Sequence, residues 1–194
     1  MNLPNQLTVA RLFLTLVFVA VLSLEIPYKH TIALILFIIA AITDYLDGKI
    51  ARERNLITNF GKLMDPLADK VLVSAAFVML CADGYFPSWI LVIILTREFL
   101  VTGLRLVASS QGVVLAADAL GKWKTITQML TAIYLLLFLA AKEPTMQFLA
   151  PIFQAPFMAP DQLGAVLIGL ALMFTAISGW NYVWKNRNLI EWDA

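Results

Sequence analysis

Six long apolar stretches, separated by short breaks, leave this chain few ways to fold. A helix that crosses a bilayer needs about 20 mostly apolar residues. Such stretches fall at roughly 8–25, 31–53, 60–82, 86–110, 119–141 and 162–185. Between them lie Pro27, Asn55, the Asp83-Gly84 pair with Pro87, Gly112, and a segment running from Pro144 to Pro160. The expected fold is an all-α integral membrane protein with six transmembrane helices, forming one membrane domain over residues 1–194. Composition agrees. Hydrophobic residues make up 61% and charged residues 14%, against about 25% charged in an ordinary globular domain. That excludes a soluble enzyme, and the continuous apolar content excludes disorder. A single cysteine, Cys81, cannot form an internal disulfide. A single histidine, His30, argues against a His-built zinc or haem site. The first stretch does not read as a cleaved signal peptide, because Arg11 lies inside it and Glu25-Ile26-Pro27 follows.

The basic residues set an orientation. With a cytoplasmic N-terminus, twelve of the fourteen Lys and Arg residues fall at cytoplasmic ends, leaving Lys29 and Lys142 outside. The positive-inside rule therefore predicts both termini in the cytoplasm, with Lys185 and Arg187 closing the last span. Residues 143–160 are expected on the outer interface, and Trp180, Tyr182, Trp184 and Trp192 as interfacial anchors.

Asp44, Asp47, Asp65 and Asp69 stand out against this background. A carboxylate in a membrane segment costs several kcal/mol and almost always faces a cavity. Asp44 and Asp47 are three apart on a helix and share a face, as do Asp65 and Asp69, four apart. Pro66 either sits at a helix start capped by Asp65 or marks a kink. If spans two and three are antiparallel neighbours, the two pairs point at each other. Four carboxylates together need cations or protons. Oxygen-only ligands suit Mg²⁺ or Mn²⁺ rather than zinc, and a di-metal site is a common device for phosphoryl transfer. Gly48, Ala51 and Gly61 either leave room on the carboxylate face or only let helices approach closely.

Together these residues spell Asp44-x-x-Asp47-Gly48-x-x-Ala51-Arg52, eight residues, Gly61, three residues, Asp65, three residues, Asp69. The pattern resembles the CDP-alcohol phosphatidyltransferase motif at every position. Asn2-Leu3-Pro4-Asn5-Gln6-Leu7-Thr8-x-x-Arg11 is similar to the bacterial phosphatidylglycerophosphate synthase branch of that family. So are Thr96-Arg97-Glu98, Gly103-Leu104-Arg105 and Gly121-Lys122-x-Lys124-Thr125. The resemblance implies a six-helix fold, usually a homodimer in the cell membrane, with a site open to the cytoplasm. It implies two divalent metals, CDP-diacylglycerol as donor and no nucleic-acid partner. It makes Asp44, Asp47 and Asp65 metal ligands. Asp69 becomes both a metal contact and the general base, and Arg52 a neighbour of the nucleotide phosphates. Asp47, Gly48, Ala51 and Gly61 become part of the CDP-lipid site.

An acceptor that carries a phosphate needs cations of its own. Arg97, Arg105, Lys122 and Lys124 supply four at the ends of spans four and five. Arg97 and Arg105, eight apart, lie about 80° apart around a helix and can reach one cavity. Glu98 is a candidate to orient or pair with Arg105. Thr8 and Arg11 either reach a substrate phosphate or mark the interface. Phosphate recognition points to glycerol 3-phosphate. Alternatives are a cardiolipin, phosphatidylserine or inositol-type synthase of the same family. More remote are a membrane prenyltransferase, which also holds Mg²⁺-pyrophosphate on aspartates, and an ion-coupled transporter.

Overall fold

A computed structural model describes residues 3–53, 59–110, 112–113, 115 and 119–187; side chains at 3–5, 44–53, 59–67, 69 and 110 lie outside the description. Among the described residues every regular element is helical. The long helices are α1 (Leu3–Ser23), α2 (Lys29–Glu53), α3 (Asn59–Ala82), α4 (Ser88–Ser110) and α5 (Ala119–Ala140). A five-residue α6 (Ala150–Gln154) precedes α7 (Ala165–Lys185), which a π turn at Pro160–Gly164 extends on its N-terminal side.

Glycine ends two of these helices. Gly84 has φ 81° and Gly112 has φ 76°, a left-handed conformation that costs glycine least. After α3, Tyr85 N donates to Leu80 O at 3.1 Å and Gly84 N to Cys81 O at 3.0 Å. After α4, Val113 N donates to Ala108 O at 2.9 Å and Gly112 N to Ser109 O at 3.1 Å. Both are Schellman closures, which satisfy carbonyls the helix leaves orphaned. The start of α3 resolves the reading of Pro66. The helix begins at Asn59 and continues through Pro66, so Asp65 does not cap it.

Helix α1 packs along both α2 and α3; α5 packs against α2 and α7, and α4 against α7. The Phe18 and Phe37 rings meet at 6.0 Å and those of Phe77 and Phe86 at 5.6 Å. Polarity is inverted relative to a soluble bundle. Phe13, Leu16, Phe99 and Trp180 are each at least 65% exposed, while Thr8, Arg11, Thr131 and Thr175 are fully buried. In water such a surface would be a large unpartnered apolar face; in lipid it is the expected one. A polar seam joins α5 to α7, where Gln128 Nε2 donates to Thr175 Oγ1 at 3.1 Å. Thr131 Oγ1 lies 3.2 Å from Leu167 O. Polar groups of this kind hold helices together where lipid supplies no hydrophobic drive.

Three helical segments among the described residues are long and apolar enough to cross a membrane: Gln6–Ser23, Ala119–Ala140 and Pro160–Lys185. Helices α2, α3 and α4 have 25, 24 and 23 residues, comparable in length. The protein is a membrane protein with polar groups concentrated inside its bundle.

The segment after α5 folds back onto that helix. Phe153 is buried and its ring meets those of Tyr134 and Phe138 at 5.7 and 5.4 Å. Tyr134 Oη donates to Met158 O at 2.6 Å. Glu143 reaches the N-terminus of α2. Its carboxylate accepts from the backbone N–H groups of His30 and Thr31 at 2.8 and 2.9 Å. It also accepts from Thr31 Oγ1 at 2.6 Å and lies 2.9 Å from His30 Nδ1.

Candidate active site

The motif residues divide between two helices. Asp44, Asp47, Gly48, Ala51 and Arg52 fall within α2, and Gly61, Asp65 and Asp69 within α3. Their side chains lie outside the described residues. What can be built from side chains is the ground beside them.

Lys70 follows Asp69 directly and lines a small cavity of about 20 Å³ between α3, α4 and α5. That is room for a water molecule or a small ion. Ser74, Glu98, Lys124, Thr125 and Gln128 complete its polar lining. Lys70 Nζ donates to Thr102 Oγ1, and Thr102 Oγ1 in turn donates to Glu98 O at 2.6 Å. Glu98 and Lys124 are both 6% exposed, and Lys124 Nζ lies 2.5 Å from Glu98 Oε1. Arg97 Nη1 approaches the same oxygen at 3.4 Å. One carboxylate therefore serves two cations from two helices. Burial explains why. An unpaired charge in such a place is far more expensive than a paired one.

Arg97 and Arg105 both face α7, consistent with the 80° that separates them around α4. The stem of Arg97 passes over Gly179, and Arg105 Nε donates to Tyr182 Oη at 3.0 Å with its guanidinium carbon 5.4 Å from the Tyr182 ring centre. Glu98, a candidate partner for Arg105, instead joins Lys124 and Arg97. Lys122 is exposed and does not join the cluster. The four expected acceptor cations thus separate into a buried Arg97–Glu98–Lys124 group, an exposed Arg105 held by Tyr182, and Lys122 at the surface.

Two further expectations meet the structure here. Thr8 and Arg11 are both fully buried on α1. An arginine that merely marked the interface would send its guanidinium to water, so the buried position favours a role inside the bundle. The aromatic residues of α7 do not form one set. Trp180 and Trp184 stack at 6.1 Å and are mostly exposed, and the guanidinium of Arg187 lies 4.4 Å from the Trp184 ring centre. Tyr182 is 4% exposed and is no interfacial anchor. It stands about 200° around the helix from Trp180, which turns it to α4. Trp192 lies outside the described residues. Sequence reasoning gave Gln128 only as part of the family resemblance, and gave no site role to Lys70, Tyr182 or Gly179. The only sequence sign of Gly179 was a glycine placed inside a helix, where it costs about 1 kcal/mol relative to alanine.

The described residues thus form an apolar helical bundle that buries a charged cluster on α4 and α5, with the aspartate motif carried by α2 and α3. The family model for CDP-alcohol phosphatidyltransferase matches residues 1–179, and the chain belongs to that family. Among its relatives is the CDP-diacylglycerol–glycerol-3-phosphate 3-phosphatidyltransferase of Bacillus subtilis (strain 168). It is 42% identical over 205 residues, covering 100% of this chain and 96% of the relative. The protein of the same name from Rickettsia bellii (strain RML369-C) is 35% identical, covering 93% of each. A cardiolipin synthase (CMP-forming) from Oryza sativa subsp. japonica is 33% identical, over 97% of this chain and 57% of its own length.

Proposed function

We propose that the protein transfers the phosphatidyl group of CDP-diacylglycerol to sn-glycerol 3-phosphate, giving phosphatidylglycerophosphate and CMP in phosphatidylglycerol biosynthesis. The observation that carries this reading is the 42% identity to the Bacillus subtilis enzyme of that name across the whole chain. The buried cations beside the motif support it, since the acceptor carries a phosphate.

In this reading six helices cross the cell membrane, both termini are cytoplasmic, and the protein is a homodimer. The site opens to the cytoplasm. The donor set of Asp44, Asp47, Asp65 and Asp69 is all oxygen and fits two Mg²⁺ or Mn²⁺ ions. Bound there, such ions supply charge neutralisation to the departing CMP. The acceptor hydroxyl attacks the lipid-bearing phosphorus, and Asp69 takes its proton. The bond to CMP breaks and CMP leaves with the electron pair. Gly48, Ala51 and Gly61 leave room for the cytidine and its ribose, with Asp47 and Arg52 beside the nucleotide. Arg97 and Lys124 hold the acceptor phosphate, with Arg105 at its exposed side; Arg suits the fork geometry of phosphate oxygens. Thr8 and Arg11 line the same interior. Lys122, exposed, attracts the anionic headgroups of the membrane surface.

The test is CMP release from CDP-diacylglycerol in detergent, with and without Mg²⁺ or Mn²⁺. Glycerol 3-phosphate, glycerol, serine, inositol, inositol phosphate and phosphatidylglycerol are compared as acceptors. Metal-dependent release with glycerol 3-phosphate alone is expected. Release only with phosphatidylglycerol would replace the reading with a cardiolipin synthase, and no release with any acceptor from folded protein would end it.

A further inference from the structure

We infer that Glu98 and Gly179 are positioning residues that aim Arg97 at the acceptor phosphate. Glu98 fixes the head of the side chain, and Gly179 gives its stem a passage. The inference rests on the reading that Arg97 and Lys124 bind that phosphate.

Arg97 sits on α4, and its side chain is only 12% exposed. A Cβ added at Gly179 would lie 2.8 Å from Arg97 Cγ and 3.7 Å from its Cβ. The first distance is shorter than real carbon contacts allow. The obstructed atom, Cγ, lies near the base of the side chain, so the side chain cannot yield at its tip and the stem must change course. The contrast with Gly121 is instructive. A Cβ there would meet Arg97 Nη2 at 3.6 Å, an ordinary contact. The guanidinium thus lies near the start of α5 while its stem crosses α7. At the head, Glu98 Oε1 approaches Nη1 at 3.4 Å and is held by Lys124 Nζ at 2.5 Å. Arg97 Nε is buried and has no hydrogen-bond partner among the described residues. Among the described residues, the Glu98 contact is what sets the angle of the guanidinium. Neighbouring residues on a helix point about 100° apart, so the Arg97–Glu98 contact forms only because the arginine stem is steered toward it. Correctly placed charge, rather than charge alone, is what binding a forked phosphate needs.

The experiment measures kcat and KM for both substrates in Gly179→Ala, Glu98→Gln, Arg97→Met, Lys124→Met and the double variant Gly179→Ala/Arg97→Met. Melting in detergent is followed for each. Gly169→Ala is the control for adding a methyl to α7, since nothing lies within 4 Å of that position. Gly179→Ala and Glu98→Gln are each expected to raise KM for glycerol 3-phosphate by about tenfold, the scale of one lost charged hydrogen bond. KM for CDP-diacylglycerol stays within about twofold, well short of that scale. Because the effect runs through Arg97, the double variant is expected to be no worse than Arg97→Met alone. Additive losses, or an unchanged KM in Gly179→Ala while Arg97→Met raises it, would overturn the positioning role and leave the acceptor reading standing. If neither Arg97→Met nor Lys124→Met moves KM for glycerol 3-phosphate, the acceptor reading itself falls. Should Gly179→Ala fail to fold, Glu98→Gln carries the test, and an unchanged KM there refutes the inference.

Discussion

Glu143 ties the far end of α5 to the first turn of α2, 113 residues earlier in the chain, and removing its carboxylate should loosen the bundle measurably. The carboxylate takes the His30 and Thr31 backbone N–H groups at 2.8 and 2.9 Å, the Thr31 hydroxyl at 2.6 Å and His30 Nδ1 at 2.9 Å. Two of those donors are orphan groups of a helix start. A lost N-cap costs about 1–2 kcal/mol, and hydrogen bonds to a charged group contribute about 1.5–3 kcal/mol each before overlap. Glu143→Ala should therefore cost about 2–4 kcal/mol in all. At about 2–4 °C per kcal/mol for a chain of this size, melting should fall by about 4–16 °C. Glu143→Gln keeps one acceptor oxygen and should lose roughly half as much. Burial pushes the Glu143 carboxyl up, but the hydrogen bonds from Thr31 and His30 together outweigh it and hold it below the ordinary carboxylate range. A lowered folded pKa means that the stabilisation is complete above the unfolded value, about 4.3. It is lost as pH falls through the folded value. Melting curves of the wild type and Glu143→Ala, taken in detergent from neutral pH downward, should differ most near pH 7 and converge in acid. Equal melting at pH 7, or a gap that persists unchanged into acid, would refute the latch. KM for either substrate should not move, because Glu143 is at the opposite end of α2 from the motif.

Tyr182→Phe keeps the ring beneath Arg105 but removes the hydroxyl that receives Nε at 3.0 Å; kcat/KM for glycerol 3-phosphate should drop about threefold to tenfold in steady-state assays. Gly84→Ala meets no steric obstacle but must hold φ 81°, so it should lower stability by about 1–2 kcal/mol in denaturation experiments and leave the kinetics alone. Chelation should abolish CMP release, and added Mg²⁺ or Mn²⁺ should restore it. Asp69→Asn should retain CDP-diacylglycerol in a direct binding assay and lose turnover; unchanged turnover would remove Asp69 from the base role.

The helices were legible because length and apolarity constrain them together. The stretch read at 119–141 is α5 at Ala119–Ala140, and that at 60–82 is α3 at Asn59–Ala82. The breaks were legible for a separate reason. Gly84 and Gly112 sit where a left-handed residue must close the helix, and glycine is the residue that does this without strain. The side-chain partners could not be read the same way. Glu98 can face Arg105 by spacing along α4, but its actual partner, Lys124, arrives from α5, and no local pattern announces a neighbour from another helix. Tyr182 was recoverable in principle. Two residues from Trp180, it must point away from the exposed tryptophan face. Among three aromatic residues at one helix end, membership of a belt was the more obvious interpretation. Gly179 is the hardest case, because its importance lies in an atom it lacks.

Glu98 is shared by two cations, and in the proposed acceptor site that sharing matters for phosphate binding. Cations inside an apolar bundle need a counter-charge at rest, or burial becomes prohibitive. A carboxylate for each would neutralise them and leave little attraction for a substrate. Glu98 meets the first demand with one charge between two cations, Arg97 and Lys124. On the proposed reading, an incoming phosphate takes donors that Glu98 does not saturate, without first expelling a full set of partners. The arrangement depends on the arginine being held in place as well as charged. On the inference above, the passage at Gly179 leads the Arg97 stem along a single course to Glu98, so its guanidinium has one orientation.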